Sequence, residues 1–192
     1  MSHERCSSVE TQIGGKFTRE DLGLFVCKQR LIKAGVKVRY PEGDGIVADY
    51  NGIAITFDPN KGKTFYDVET DYLKSIQETP LHVVYNKFKD KIGYIGESAS
   101  VEIAHGMLYK KPIILLYSPL FSENIPPHIK KILVRNIDNF IVKRLDLLDE
   151  DSLKVFIEDT AKVSMVYDLV QGDRNSITHS VNTLLESYRQ RS

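Results

Sequence analysis

Residues 81–117 read LHVVYNKFKDKIGYIGESASVEIAHGMLYKKPIILLY, and this stretch decides the fold class. Leu81 to Tyr85 is a short apolar run that predicts a strand. Ser98 to Lys110 carries apolar residues at helical spacing over a wide face, which predicts a helix. Ile113 to Tyr117 is a continuous apolar run bounded by prolines, which is typical of a strand buried on both faces. A strand, a helix and a strand in this order predict a right-handed parallel βαβ unit, with the loop Asn86 to Gly96 at the carboxyl end of its first strand.

Upstream of this unit, strands and helices also alternate. Val9 to Ile13, followed by two glycines, predicts a first strand and a loop. A helix is expected after Thr18, which suits the N-cap position, and Gly35 suits the end of that helix. A second strand is expected over Val36 to Tyr40, where apolar and polar residues alternate.

The middle of the chain carries a hairpin signal and a further helix. Ile46 to Tyr50 and Ile53 to Phe57 flank Asn51-Gly52, a dipeptide that favours a two-residue hairpin turn. Thr64 to Gln77 has apolar residues at helical spacing and predicts a helix.

The downstream part of the chain completes the prediction of fold class. Phe140 to Leu145 is a weaker strand candidate, and Glu150 to Val170 and Ser176 to Gln190 predict two helices separated by Gly172. The predicted class is α/β: a Rossmann-like, mostly parallel sheet flanked by helices, with an inserted β-hairpin and C-terminal helices.

This fold class also predicts the domain organisation and the position of a ligand. We expect residues 1–148 to form the Rossmann-like domain and residues 149–192 to form a helical extension packed on it. Ligands of such sheets bind beside the carboxyl ends of the strands. The loops Gly14 to Phe17 and Asn86 to Gly96 occupy that position.

The composition argues against several classes of function. Lys plus Arg and Asp plus Glu are balanced at 26 each, and no basic stripe stands out, which argues against a nucleic-acid polymer as partner. No apolar run approaches a membrane span and the N-terminus has no signal-peptide core, so we expect a soluble, cytoplasmic protein. Neither Cys6 and Cys27 nor the scattered histidines have ligand-like spacing, so no metal and no other cofactor is expected.

The segment GYIGESASVE, which ends at Glu102, carries the residues best suited to chemistry. Gly93 and Gly96 allow the backbone to approach a ligand closely, and the helix that follows offers free N–H groups to an anion. Ser98 and Ser100 add hydroxyl groups. We expect Glu102 in or near the first helical turn, where the helix dipole favours its ionised form.

An ionised carboxylate beside a sugar is what a retaining glycosyl transfer needs. It attacks the anomeric carbon, holds a covalent glycosyl intermediate and releases it to water or to a second acceptor. A glutamate in a first helical turn is also a common partner of the helix dipole, and glycines are common turn residues. The pattern alone therefore leaves a functional and a purely structural interpretation open.

The same segment resembles the signature of the nucleoside 2-deoxyribosyltransferase-like superfamily. The resemblance consists of GYIG, five further residues and then Glu102-Ile103-Ala104, followed by Lys111-Pro112 at the start of a buried strand. The N-terminal GGKF and the helix after it also resemble the opening of that family, and Asn86 at the end of the preceding strand fits one branch of it.

The resemblance implies an activity and a set of site residues. The family contains nucleoside deoxyribosyltransferases and nucleotide N-glycosidases, which cleave the N-glycosidic bond of a nucleoside or a nucleoside 5′-monophosphate. Glu102 would be the nucleophile. The residues implied to bind substrate lie in the two loops and at the helix start: Gly14, Gly15, Lys16, Phe17, Asn86, Gly93, Tyr94, Gly96, Ser98 and Ser100.

Within this set, the implied roles differ by position. The loop that begins at Gly14 would line the base or the sugar, and Tyr94 is suited to stack on a base. Ser98 and Ser100 would meet a 5′ hydroxyl or a 5′-phosphate, and two serines beside glycines favour the phosphate.

The chain departs from the family pattern on the side of the base. The family commonly has an Asp in the helix before the glycine-loop strand, which helps the base to depart. The aligned position here is Tyr72, and Asp71 beside it becomes the candidate for that role. The resemblance also implies a homodimer or a larger even-numbered assembly, in which a neighbour completes the pocket.

Two other functions were weighed against this one. A nucleotide-binding or sensing module of the same fold would keep the pocket without turnover, and the departure at Tyr72 favours it. A phosphoribohydrolase with a GGxGTxxE loop is disfavoured, because Gly96 lies too far from Glu102 and no Thr stands between them.

Overall fold

The computed structural model describes residues 8–16, 21–39, 48–50, 53–55 and 63–190. The helices of these residues are α1 (Gly23–Lys33), α2 (Phe65–Glu78), α3 (Glu97–Leu108), α4 (Pro127–Arg135), α5 (Glu150–Thr160) and α6 (Gln171–Arg189). The strands are β1 (Glu10–Gly15), β2 (Lys37–Val38), β3 (Ala48–Tyr50), β4 (Ile53–Ile55), β5 (His82–Tyr85), β6 (Lys87–Phe88), β7 (Lys91–Ile92), β8 (Tyr94–Ile95), β9 (Ile113–Leu115), β10 (Leu120–Phe121) and β11 (Ile141–Val142). In this part of the chain, no helix combines the length and the hydropathy needed to span a membrane.

Five strands form one parallel sheet in the order β11-β9-β5-β1-β2. The chain starts at β1, adds β2 on one side and then extends the sheet on the other side of β1, so the direction of winding reverses between β1 and β5. This is a doubly wound order, and the gap between the carboxyl ends of β1 and β5 is its switch point. The predicted fold class, a Rossmann-like parallel sheet flanked by helices, is confirmed.

Helices cover both faces of the sheet. α1 and α5 pack on one face, where Val83 and Ile114 are fully buried. α2, α3, α4 and α6 pack on the other face, around Val84 and Leu115. Because successive strand residues point to opposite faces, the continuous apolar runs of β5 and β9 contribute side chains to both cores.

Local signals fix the start and the orientation of α2. The Thr64 hydroxyl accepts a hydrogen bond from the backbone N–H of Asp67, and the Asp67 carboxylate accepts one from the backbone N–H of Thr64. This capping box satisfies donors that would otherwise have no partner at the helix start. Leu73 and Ile76 are buried against the sheet, so the face of α2 that contains them is the inner face.

The inserted hairpin predicted from Asn51-Gly52 is present, since β3 pairs antiparallel with β4. The two turn residues themselves lie outside the described residues, as does Thr18, the predicted N-cap of α1.

Two regions between the predicted elements contain more structure than expected. The helix α4 was not predicted, because Pro126-Pro127 suggests a chain break, yet proline is well tolerated at the first position of a helix. The predicted loop Asn86 to Gly96 contains the antiparallel pair β6–β7, and it also contains β8, which pairs with β10.

The sequence predicted that Gly172 separates the two C-terminal helices, but the structure places the break elsewhere. Gly172 is the second residue of α6, and the break covers residues 161–170. Two hydrogen bonds hold this break against the turn before β9: the Tyr167 hydroxyl donates to the Lys111 carbonyl at 2.7 Å, and the Met165 N–H donates to the Lys110 carbonyl at 3.1 Å. Tertiary hydrogen bonds therefore override the helical tendency of this stretch.

Candidate active site

The carboxyl end of β1 is packed too closely for any residue except glycine. A Cβ atom on Gly14 would lie 1.6 Å from the hydroxyl oxygen of Tyr72 on α2. A Cβ atom on Gly15 would lie 2.3 Å from the carbonyl oxygen of Tyr85, and Gly15 also has a φ of +146°. The two predicted glycines therefore bring α2 and the end of β5 directly against the end of β1, at the switch point.

Glu102 lies on α3 beside Tyr72 and Lys16. It is the sixth residue of this helix, which begins at Glu97, so it stands just past the first turn, near the expected position. Burial raises the pKa of its carboxyl to about 7, while hydrogen bonding from the Tyr72 hydroxyl and the positive charge of Lys16 lower it. These two side chains, rather than the helix dipole, offset part of the cost of burying the charge, because the effect of the dipole fades after the first turn.

Glu69 on α2 is a second carboxyl at the same place. Burial raises its pKa well above the ordinary value, and the charge of Glu102 raises it further. Its Oε1 atom is buried and has no hydrogen-bond partner in the described part of the chain. When two carboxyls share a buried site, the charge of one holds the proton on the other. The Tyr72 hydroxyl and Lys16 lower the pKa of Glu102, and this favours Glu102 as the ionised member of the pair.

Asp71, the acid expected from the sequence, lies elsewhere. Its carboxylate pairs with the Lys63 ammonium at 3.0 Å and is 44% exposed, and the structure does not bring it together with Glu102. Glu69 was missed, although the sequence contains a signal for it. Glu69 stands three residues before Tyr72 and four residues before Leu73, so it falls on the inner face of an amphipathic helix. A carboxyl is rarely buried on such a face unless it has a partner, so its presence there is a signal.

Lys16 links Glu102 to a pair of aromatic rings. The ring centroids of Phe88 and Tyr94 are 5.6 Å apart, and the Lys16 Nζ atom lies 5.8 Å from the first centroid and 5.9 Å from the second. Tyr94 was predicted as a substrate-binding residue, and Phe88 was missed because its position depends on the β6–β7 pairing. Both rings are half-buried and lie at the carboxyl side of β5. Phe17, the neighbour of Lys16, lies outside the described residues.

Two other predicted residues of the loop after β5 have structural partners. The Asn86 side-chain amide donates to the Tyr117 carbonyl at 2.7 Å, and its oxygen accepts from the Tyr117 N–H at 3.0 Å. This pair of bonds continues the β5–β9 ladder by one step. Gly93 has a φ of +83°, and a Cβ atom there would lie 2.1 Å from the Ser118 carbonyl oxygen. Both residues shape the edge of the site, and the Asn86 amide is occupied by the backbone.

The start of α3 places its predicted residues in different surroundings. Gly96 is the N-cap, and a Cβ atom on it would lie 3.0 Å from the Tyr94 hydroxyl oxygen. Ser100 is fully buried, and its hydroxyl donates back to the Glu97 carbonyl at 2.5 Å. Ser98 is half-buried and lines a cavity of about 300 Å³ between α3 and α6. Ser98 is therefore open to a ligand, whereas Ser100 has an internal partner.

Two histidines are buried near the site, His105 on α3 and His82 on β5. His105 contacts Gln77 through its Nε2 atom at 3.0 Å, and burial lowers the pKa of His105 to about 4. Burial lowers the pKa of His82 to about 3, and the proximity of His105 contributes. Both rings are therefore neutral at physiological pH. Among the described residues, no cluster of His, Cys, Asp or Glu has the composition to hold a metal ion.

The fold and the site together define a doubly wound α/β protein with a pair of carboxyl groups at the switch point of its sheet. No protein-family model matches the sequence, and comparisons with curated proteins and with solved structures found no significant match.

Proposed function

We propose that the protein is an N-glycosidase or deoxyribosyltransferase that acts on a nucleoside or a nucleoside 5′-monophosphate, with Glu102 as nucleophile. One observation carries the proposal: two buried carboxyls, Glu102 and Glu69, interact at the carboxyl edge of a parallel sheet, and burial raises the pKa of both. A pair of carboxyls with one ionised and one protonated is the arrangement that glycosyl transfer with retention requires.

In this proposal, the Glu102 carboxylate attacks the anomeric carbon of the sugar. The N-glycosidic bond breaks, its electron pair goes to the base nitrogen, and the proton of Glu69 neutralises the departing base. The sugar is then held as an ester on Glu102. Water or a second acceptor attacks this ester, Glu69 takes up its proton, and the two carboxyls return to their starting states.

Tyr72 and Lys16 support the ionised form of Glu102. The pKa of the Tyr72 hydroxyl is raised by burial and then by the charge of Glu102, so this hydroxyl stays a neutral hydrogen-bond donor. Lys16 supplies the cation that offsets the carboxylate charge. Both groups stabilise Glu102 as an anion, and both would lose that interaction when the carboxylate becomes an ester.

The 5′ side of the substrate belongs beside the start of α3. Gly96 caps this helix without a side chain, and Ser98 remains open to a ligand. Free N–H groups at a helix start favour an anion, which supports the 5′-monophosphate over the nucleoside. Glu97 is exposed, so its charge is screened by solvent. A cytoplasmic location and a homodimer remain part of the proposal.

The alternative is a nucleotide-binding or sensing module that does not turn over its ligand. One observation favours it: with a pKa of about 7, a large share of Glu102 is protonated at neutral pH and cannot attack. The two functions differ in a simple measurement, because a sensing module would bind a nucleotide and return it unchanged.

Base release is the experiment that tests the proposal. The protein is incubated with ribo- and deoxyribonucleosides and their 5′-monophosphates, and free base is separated and quantified. Glu102→Gln keeps the shape of the side chain and removes the attacking charge, so turnover should fall about 10³-fold or more with the fold intact. Base release at an unchanged rate in this variant would exclude the glycosyl-enzyme mechanism. Tight binding with no base release by the wild-type protein would support the sensing module.

A further inference from the structure

Three lysines surround the Phe88–Tyr94 pair: Lys89 and Lys91 on the β6–β7 hairpin, and Lys16 directly after β1. Lys16 lies over both rings, the Lys89 Nζ atom lies 5.5 Å from the Phe88 centroid, and the Lys91 Nζ atom lies 5.9 Å from the Tyr94 centroid. Cation–π contacts hold ammonium groups in place without neutralising them. The rings therefore orient three positive charges at the mouth of the site.

The charge of Lys16 acts on Glu102, whereas the charges of Lys89 and Lys91 are not paired with carboxylates of the described residues. Lys87, on the same hairpin, pairs with Asp21 at 3.1 Å. Lys16, Lys89 and Lys91 have no carboxylate within ion-pair distance in the described part of the chain, and Asp90 between the last two is exposed. Lys89 also adopts a left-handed backbone conformation, with a φ of +55°, at a turn position that ordinarily favours Gly or Asn. The hairpin therefore presents a concentration of cations that the described part of the fold does not use.

The hairpin is continuous with the proposed site. The Tyr94 hydroxyl lies beside Gly96 at the start of α3, and the charge of Lys16 reaches Glu102. A phosphate chain that begins at the start of α3 would run along the two rings toward Lys89 and Lys91. A monophosphate ends at the helix start and leaves the outer two lysines without a ligand.

We propose that the hairpin binds the β- and γ-phosphates of a nucleoside 5′-triphosphate, and that this class of nucleotide, rather than the monophosphate, is the preferred ligand. This inference rests on the proposed function for the placement of the sugar, but it concerns a different group of residues. Lys16 and the helix start take the α-phosphate, and Lys89 and Lys91 take the two outer phosphates. Each added phosphate brings negative charge to an exposed cationic surface, so the preference depends on ionic strength.

The test is a binding measurement that does not require turnover. Calorimetry with Glu102→Gln compares 2′-deoxyadenosine 5′-triphosphate, its 5′-monophosphate and inorganic tripolyphosphate at two salt concentrations. We expect the triphosphate to bind about tenfold more tightly than the monophosphate at low salt, and tripolyphosphate to compete with it. The double variant Lys89→Gln/Lys91→Gln should lose this preference. Lys87→Gln is the matched control, because that lysine is already paired, and it should keep the preference.

Equal affinities for the two nucleotides, or a preference that survives in the double variant, would overturn the inference. A single-stranded oligonucleotide that binds more tightly than the triphosphate would also overturn it, since the hairpin would then be a nucleic-acid surface. Base release is measured separately. A triphosphate preference without base release would support the hairpin site and reject the proposed function. Base release without a triphosphate preference would support the proposed function and reject the hairpin site.

Discussion

The hydroxyl oxygen of Tyr72 occupies the space that a Cβ atom on Gly14 would fill, at a separation of only 1.6 Å. The contact joins the end of the first strand to the middle of α2, and it places the Tyr72 hydroxyl next to Glu102. One methyl group on Gly14 would therefore displace the side chain that stabilises the proposed nucleophile.

Gly14→Ala should lower the free energy of unfolding by about 2 kcal/mol, because overpacking a tight contact forces side chains and backbone to shift. Chemical denaturation measures this change. Gly172→Ala is the matched control: nothing lies within 4 Å of a Cβ atom there, and the residue is in a helix, where Ala is favoured over Gly. Equal stabilities of the two variants would contradict the packing seen at Gly14.

The pH dependence of catalysis should report the Glu102 carboxyl. The nucleophile must be ionised, so kcat/KM should rise with pH and reach half of its maximum near the pKa of about 7. Tyr72→Phe removes a hydrogen bond that lowers this pKa, so the midpoint should move to higher pH. Tyr66→Phe on the same helix is the control and should leave the midpoint unchanged. A flat profile from pH 5 to 9, about two units on either side of the midpoint, would show that Glu102 does not titrate in the rate-limiting step.

Variants of Glu69 and Asp71 distinguish which of the two residues is the acid that helps the base to leave. Glu69→Gln removes the proposed proton donor, whose carboxyl interacts electrostatically with Glu102, so kcat should fall about 10²-fold or more for an ordinary base. The loss should be much smaller for a substrate whose base leaves without protonation. Asp71→Asn breaks only a partly exposed ion pair with Lys63, and its kcat should stay near the wild-type value. The reverse pattern would return the role to Asp71, as the family resemblance first implied.

The buried carboxyl should also make stability depend on pH. The unfolded pKa of Glu102 is near the ordinary value of 4.5 for a glutamate, and the folded pKa is about 7, so the unfolded chain ionises first as pH rises. Stability is therefore complete below the unfolded pKa and declines as pH rises toward the folded one.

Glu102→Gln removes this decline. Thermal unfolding should show the variant to be more stable than the wild type at pH 8, by roughly 3 kcal/mol or about 6–12 °C in Tm, with a smaller difference at pH 4. An advantage that is equal at both pH values would show that the carboxyl does not titrate on folding.

The assembly state is open to a direct measurement. The resemblance predicts a homodimer or a larger even-numbered assembly, and Tyr109 and Leu120 are exposed apolar side chains. Light scattering at micromolar concentration should therefore give at least twice the chain mass of 21.9 kDa. A monomer of that mass would contradict the prediction and would require the site to be complete within one chain.

Much of the fold follows from local patterns. The strands β5 and β9 are continuous apolar runs, and α2 begins at a capping box that can be read from Thr64 and Asp67. The helix α4 was not predicted, because Pro126-Pro127 resembles an interruption of secondary structure. The non-helical stretch between α5 and α6 was not predicted, because it depends on hydrogen bonds to Lys110 and Lys111, which are far away in the sequence.

The candidate site was predictable only where a residue is fixed by its own element. Glu102 follows from the helix that carries it, and Gly14 from the loop that ends β1. Predicting the partners of Glu102 requires knowing which face of α2 is buried. Without that knowledge, the sequence led to Asp71 in place of Glu69. Ser100 shows the same limit, since its hydroxyl turns back to the Glu97 carbonyl, a choice that residue type does not determine.

The helices α5 and α6 cover opposite faces of the same sheet, and both follow every strand of that sheet in the chain. During synthesis, therefore, neither apolar face can be closed until these last helices have left the ribosome. Ile157 on α5 and Ile177 on α6 are fully buried in the finished fold, so each helix closes part of one core. Until both helices have been synthesised, the sheet exposes apolar surface of the kind that chaperones bind.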